Sequence, residues 1–154
     1  MSVGKLAPGT RTVVVGHGPA EVMGAELRYG RPHYRLRSLL FDGAFIWVAF
    51  EDEPHELRPP MDAKQANEVL RFVREATPAA ADEGARFRAW TARIRSSGAF
   101  DIAGIYRDVR SLPDVTDGER KILAHAEDWL SIEVADALSL SREDAVQLLR
   151  AALA

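Results

Sequence analysis

The chain has 154 residues, of which 47% are hydrophobic and 28% charged, with no cysteine and a net charge of −3. This composition predicts one ordinary domain or two small packed ones, and it excludes disulfides, thiol nucleophiles and thiolate metal sites. Neither a signal peptide nor a membrane span is predicted, so we expect a cytoplasmic protein, and the net acidic charge argues weakly against a general nucleic-acid binder.

The first 60 residues have the pattern of short strands separated by turns. β-Branched and aromatic residues alternate with turn sequences, of which Asp42-Gly43 is the clearest hairpin signal. We predict strands near residues 11–16, 20–28, 33–40 and 44–50, and a short fifth strand near 55–58. Such a set predicts a small SH3-like or Tudor-like β barrel over residues 1–62.

From Asp62 onward the hydrophobic period becomes helical. Three pairs are typical of helix N-caps, namely Asp62 with Gln65, Thr116 with Glu119, and Ser141 with Asp144. Together with the apolar stripes, they predict helices near residues 63–75, 84–96, 101–111, 117–138 and 142–153. A short apolar linker lies at Thr77–Ala81. The fold class is therefore α+β, with an all-α domain over residues 63–154.

The predicted strand around Ala44–Phe50 is apolar on both faces, although a small barrel has one core face to fill. One reading is an edge strand that takes up a strand of another protein, with Trp47 as an aromatic anchor. The other reading is that the helical half covers the second face. From the residues alone, both stay open.

Charge is distributed unevenly along the helical half. Residues 83–112 carry six arginines against three acids, and residues 113–154 carry nine acids against four basic residues. Arginines flank a stripe of Phe87, Trp90 and Ile94 on the predicted helix 84–96, and such arginines neutralise phosphates without reading bases. Trp90 is expected in the core. The alternative interpretation is a solvated basic face.

No constellation of residues predicts catalysis. Glu133 lies within an apolar helical stripe, so we expect a structural ion pair, with Arg107 as its partner. The histidines lack metal-site spacing. We therefore expect no enzyme activity, no metal, no cofactor and no small-molecule ligand.

Short motifs in both halves resemble one family. In the helical half, Ile105–Val109 stands where that family has V-V-R-D-L, and Gly118–Ala124 where it has G-E-K-R-M-L-A. In the N-terminal half, Pro8–Gly18 resembles its opening strand and turn, and His33–Leu36 a later strand. The chain thus resembles the CarD/CdnL family of bacterial transcription regulators that bind RNA polymerase.

The resemblance implies partners and site residues. The barrel would dock on the RNA polymerase β subunit through Arg28, Ile46, Trp47 and Val48. Promoter DNA would be contacted weakly, along its backbone, by Arg86, Arg88, Arg120 and Lys121. The implied function is modulation of promoter open-complex stability.

Two residues depart from the family pattern. Glu83 stands where the family has a tryptophan that wedges into the minor groove, and a carboxylate beside phosphates is repelled. Trp47 stands where a basic residue is common, so the polymerase contact would be more apolar. An alternative function is a protein-interaction adaptor that has lost DNA binding.

Overall fold

The computed structural model describes residues 6–75, 83–110, 112 and 114–153, with side chains from Arg86 onward in the helix that begins at Glu83. The linker predicted at Thr77–Ala81 lies outside the described residues. The chain divides into two compact units, Met1–Pro60 and Met61–Ala154, called here the sheet unit and the helical unit.

The sheet unit is an antiparallel sheet with the strand order β4-β3-β2-β1-β5 in its described residues. The strands are β1 (Arg11–Val14), β2 (Gly18–Arg28), β3 (Arg31–Ser38), β4 (Phe45–Ala49) and β5 (Leu57–Arg58). They form a meander whose last strand returns to pair with β1. Strands were therefore predicted in the right places, with small shifts at their ends.

Two turns set the ends of the long hairpins. Tyr29 and Gly30 connect β2 to β3 with φ angles of 53° and 74°, which is the two-residue turn that matches strand twist. The predicted Asp42-Gly43 turn lies between β3 and β4, where the Ala44 amide donates to the Phe41 carbonyl. Between the predicted strands 44–50 and 55–58 the chain instead forms a 3-10 turn at Phe50–Asp52 and a helix, α1 (Glu53–Glu56), which take up the last residue of one predicted strand and the first two of the other. Pro54, near the helix start, suits the first turn.

The core of the sheet unit lies on one face of the sheet. Its buried residues are Val14, Ala20, Val22, Tyr34, Leu36, Val48 and Leu57, with Leu6, Ile46 and Phe50 packed against them. The Tyr34 hydroxyl donates to Glu53 at 2.6 Å, which connects this core to α1.

The helical unit contains five described helices. They are α2 (Ala63–Arg74), α3 (Glu83–Ser96), α4 (Ala99–Arg110), α5 (Asp117–Leu138) and α6 (Arg142–Ala152). Asp62 and Thr116 each form a complete capping box with the residue three positions on, and the Ser141 side chain accepts from the Asp144 amide. The α+β fold class with a C-terminal helical unit is confirmed.

The helical core is built mainly by α4 and α5. Ile102, Ile105, Tyr106, Trp129 and Leu130 are fully buried there. The Tyr106 hydroxyl donates to Glu127 at 2.9 Å, and Arg150 of α6 donates to the same carboxylate at 2.8 Å. This shared acceptor holds α4, α5 and α6 together.

Glu133 is buried, as expected, but the prediction that Arg107 is its partner is wrong. Its carboxylate accepts from the Met61 amide at 3.0 Å and from Trp129 Nε1 at 2.8 Å. Arg107 instead lies 3.2 Å from Asp108 and over the Phe72 ring. The apolar periodicity places Glu133 on the buried face of α5 but does not determine which groups reach it.

Candidate functional surfaces

Strand β4 is an edge strand of the sheet unit. Within the described residues it pairs with β3 on one side only. Val48 is buried and Ile46 packs against the core, whereas Phe45 and Trp47, on the opposite face, are 42% and 37% exposed. The two apolar faces expected from the sequence are thus one core face and one exposed aromatic face. Among the described strands, none pairs with the outer edge of the β4 main chain, so a strand of a partner can pair there.

The exposed aromatic face is organised by two arginines. The Arg28 guanidinium lies 4.1 Å from the Trp47 ring centroid, and that of Arg35 lies 5.4 Å from the Phe45 ring. Trp47 Nε1 donates to the Glu26 carboxylate. Cation–π contacts of this kind hold a guanidinium in place without neutralising it. We call these five residues the aromatic–arginine face.

The structure brings together some of the predicted polymerase-binding residues and separates others. Arg28 and Trp47 are in direct contact, while Val48 is buried in the core and Ile46, partly buried, packs against it. Sequence reasoning missed Arg35 and Phe45. The alternation of side chains along β3 and β4 is the sequence feature that indicates them. It places Arg35 opposite Trp47 and beside Phe45 on one face of the sheet.

In the helical unit, Arg86 binds Glu119. The Nε and Nη2 atoms of Arg86 lie 3.2 and 3.0 Å from one carboxylate oxygen of Glu119, and the two side chains are 15% and 2% exposed. The Arg86 guanidinium also lies 5.6 Å from the Trp90 ring. This pair joins α3 to the first turn of α5.

Glu119 also completes the capping box of α5. Its Oε1 accepts from the Thr116 amide at 3.0 Å, and its own amide donates to Thr116 Oγ1 at 3.1 Å. Burial alone would raise the pKa of Glu119, but hydrogen bonds from Thr116 and Arg86 outweigh it and hold the pKa below its usual value. The carboxylate therefore stays charged and keeps Arg86 in place.

The other predicted DNA-binding residues are exposed. Arg88 lies on α3, and Arg120 and Lys121 lie within the first two turns of α5. Arg120 is 67% exposed and lies 3.4 Å from Asp117, which is itself 94% exposed, so solvent weakens that pair. Arg88, Arg120 and Lys121 are thus available to an anion, whereas the Arg86 guanidinium is already bound.

Two aromatic expectations for α3 have different outcomes. Trp90 is 2% exposed and belongs to the core, as predicted. Phe87 was expected on the same buried stripe, but it is 45% exposed. It lies three residues before Trp90, at the edge of the stripe where α3 meets solvent. Glu83 begins α3, and its side chain lies outside the described residues.

The Ile105–Val109 motif has a structural role. Asp108 accepts from Arg93 of α3 at 3.3 Å and from Arg107 at 3.2 Å. A Cβ at Gly104 would lie 3.1 Å from the Arg93 guanidinium, so a larger residue there would crowd this contact. Asp108 and Gly104 together fix α3 against α4.

These two units make an α+β protein with candidate binding surfaces in both units. The model of the family described as CarD, C-terminal domain matches residues 66–150. The chain therefore belongs to the CarD family, whose members are transcription regulators and not enzymes. This confirms the resemblance, and both helical motifs fall within the match. No curated protein matches the chain. Among the described helices, none is long and apolar enough to cross a membrane.

Proposed function

We propose that the chain binds the RNA polymerase β subunit through its sheet unit and modulates the stability of the promoter open complex. Membership of the CarD family supports a role in transcription. The observation that carries the polymerase contact is the free edge of β4 beside the exposed pair of Arg28 and Trp47. This role places the chain in the bacterial cytoplasm.

Pairing of strands explains why β4 suits such a partner. A strand added to the free edge gains main-chain hydrogen bonds, and side chains on one face then set its specificity. Trp47 supplies apolar area and Arg28 supplies a forked donor for a carboxylate of the partner. Ile46 and Val48 contribute through their backbone, since their side chains pack in or against the core.

The helical unit contacts the phosphate backbone of DNA at the upstream fork. Arg88, Arg120 and Lys121 are exposed and basic, which supports this assignment. Arg86 was predicted to join them, and its bond to Glu119 favours a different role, that of aligning α3 with the basic turn of α5. Because only these three cations are assigned to DNA and the net charge is −3, the DNA contact is weak.

The regulator acts by binding alone. A protein that binds the melted promoter complex more tightly than the closed one shifts the population toward the melted state. The shift is limited by that difference in affinity, so a weak DNA contact gives a small effect unless the polymerase contact also differs between the two states.

A second candidate function is a protein adaptor that retains the polymerase contact without DNA binding. Two observations favour it, namely Glu83 at the wedge position and the engagement of Arg86 by Glu119. Partners other than polymerase would then use the same aromatic–arginine face.

Capture of purified RNA polymerase by the immobilised full chain tests the polymerase contact. Retention of the polymerase, and of isolated β subunit, supports the proposal, and no retention of either at low salt contradicts it. A salt titration with fork-junction DNA then separates the two functions. If the chain is a DNA-contacting regulator, its affinity for the DNA falls as salt rises, with a slope set by the number of phosphates contacted. If it is an adaptor, it does not bind the DNA at any salt concentration.

A further inference from the structure

The solvent face of α3 carries a shallow depression lined by Phe87, Arg88, Thr91, Ala92 and Arg95. Counted from Arg88, three of these positions follow at i+3, i+4 and i+7, which places them on one side of the helix. Phe87 closes one end, and its carbonyl accepts from Thr91 Oγ1 at 2.9 Å. The depression is therefore a property of a single regular helix.

Phe87 offers an aromatic face at this depression. The ring is 45% exposed, although its edge lies against the first turn of α5, where a Cβ at Gly118 would lie 3.3 Å from it. Gly118 thus leaves room for the ring and limits its movement on that side. A half-exposed, laterally supported ring is able to stack on another flat group.

The charge of the depression is purely basic. Arg88 and Arg95 are exposed, form no ion pair with any described residue, and share the lining with no acid. Seven residues apart, they are separated by about 10 Å along the helix axis. The other two arginines of α3, Arg86 and Arg93, are instead engaged by Glu119 and Asp108.

We propose that this depression binds single-stranded DNA, with Phe87 stacked on an unpaired base and with Arg88 and Arg95 on the flanking phosphates. Aromatic rings combined with basic residues are the usual means of holding a single strand without reading its sequence. The inference rests on the proposed DNA contact of the helical unit and adds to it a ligand, the melted strand, and two residues, Phe87 and Arg95.

The test uses the full chain, a labelled oligothymidylate and the same oligonucleotide with its central bases removed. Affinity is measured by fluorescence anisotropy at several salt concentrations. For the intact chain, removal of the bases should weaken binding about fivefold or more, since stacking on one base is worth about 1 to 3 kcal/mol. The Phe87→Leu variant should bind the normal strand more weakly by a similar factor. It should also bind the two strands with equal affinity.

Arginine variants test the phosphate contacts. Arg88→Ala and Arg95→Ala should each make the slope of log affinity against log salt shallower by about 0.7. Arg71→Ala, on α2 and outside the depression, is the matched control and should leave the slope unchanged. Melting curves confirm that each variant is folded.

Several results would overturn the inference. They are equal affinity of the intact chain for the two strands, a Phe87→Leu variant that still distinguishes them, and absence of single-strand binding at low salt. Binding of fork-junction DNA without any base dependence would contradict this site while leaving the proposed function standing. If polymerase capture also fails, the proposed function fails with it.

Discussion

Arg86 and Glu119, 33 positions apart in the sequence, form a largely buried ion pair that connects α3 to the first turn of α5. Glu119 belongs to the family motif at Gly118–Ala124, and Arg86 to the basic helix that the motif would accompany on DNA. The pair and the cap give Glu119 a structural function within a motif from which we predicted DNA contacts. It holds the exposed Arg120 and Lys121 in a fixed place relative to α3.

Loss of this pair should lower stability more than loss of an exposed arginine. Arg86→Ala leaves the Glu119 carboxylate buried without its cation, which costs about 3 to 5 kcal/mol for a buried pair. Urea unfolding of the full chain measures this. Arg88→Ala is the control and should cost less than about 0.5 kcal/mol. Equal urea midpoints for Arg86→Ala and Arg88→Ala would show that the ion pair does not contribute to the stability of the fold.

The same carboxylate predicts a dependence on pH. The pKa of Glu119 is lowered in the folded state, so its contribution to stability is present above its usual value of 4.5 and is lost as pH falls through the lower folded pKa. Glu119→Gln, which retains an acceptor for the cap, should therefore be less stable than wild type at pH 7. The difference should shrink below about pH 4.5. A constant difference from pH 7 to pH 3 would contradict the assigned direction of the shift.

Glu133 should behave as a structural residue. Glu133→Gln replaces one acceptor oxygen by a donor, so one of its bonds to the Met61 amide or Trp129 Nε1 is lost. We expect a lower melting temperature in calorimetry with polymerase capture preserved at a temperature where the variant is folded. Normal melting combined with loss of capture would instead give Glu133 a role in binding.

The elements of this fold follow closely from the sequence. Capping residues such as Asp62 and Thr116 define where helices begin, and the change from period two to a helical period separates the units. The turn at Phe50–Asp52 was missed because Phe50 continues the apolar pattern of β4 and no side-chain cap marks the start of the turn. Local patterns therefore predict elements best where a specific cap or turn residue ends them.

Contacts between elements were harder to predict. The helical period indicates that Glu133 and Trp90 face the core, but it does not reveal that Arg86 reaches Glu119 or that Arg107 does not reach Glu133. Such pairs depend on how helices distant in sequence cross. The exposure of Phe87 was missed for the same reason. Its neighbour on α5 is Gly118, which has no side chain to cover the ring.

Glu83 tests whether the helical unit approaches the promoter fork. Glu83→Trp should lengthen the open-complex lifetime, because a ring able to cover an exposed base step replaces a carboxylate that phosphates repel. Stacking is worth about 1 to 3 kcal/mol per base, so a gain of roughly tenfold is expected.

The control for Glu83 separates the ring from the charge. Glu83→Gln removes the charge alone and should give a smaller gain in an open-complex decay assay. Equal lifetimes for Glu83→Trp and Glu83→Gln would mean that this position does not reach the fork in the manner of the family.

The aromatic–arginine face carries the central claim, and the affinity of the full chain for purified RNA polymerase β subunit tests it most directly. Trp47→Ala should weaken binding by about 1 to 3 kcal/mol, because it removes the aromatic anchor. Arg28→Glu should also weaken binding, because it replaces the cation over that ring with an anion. Phe41→Ala removes another exposed aromatic of the sheet unit and is the matched control. Loss of affinity in the first two variants alone is the predicted result, and unchanged affinity in both, with folding intact, would contradict it.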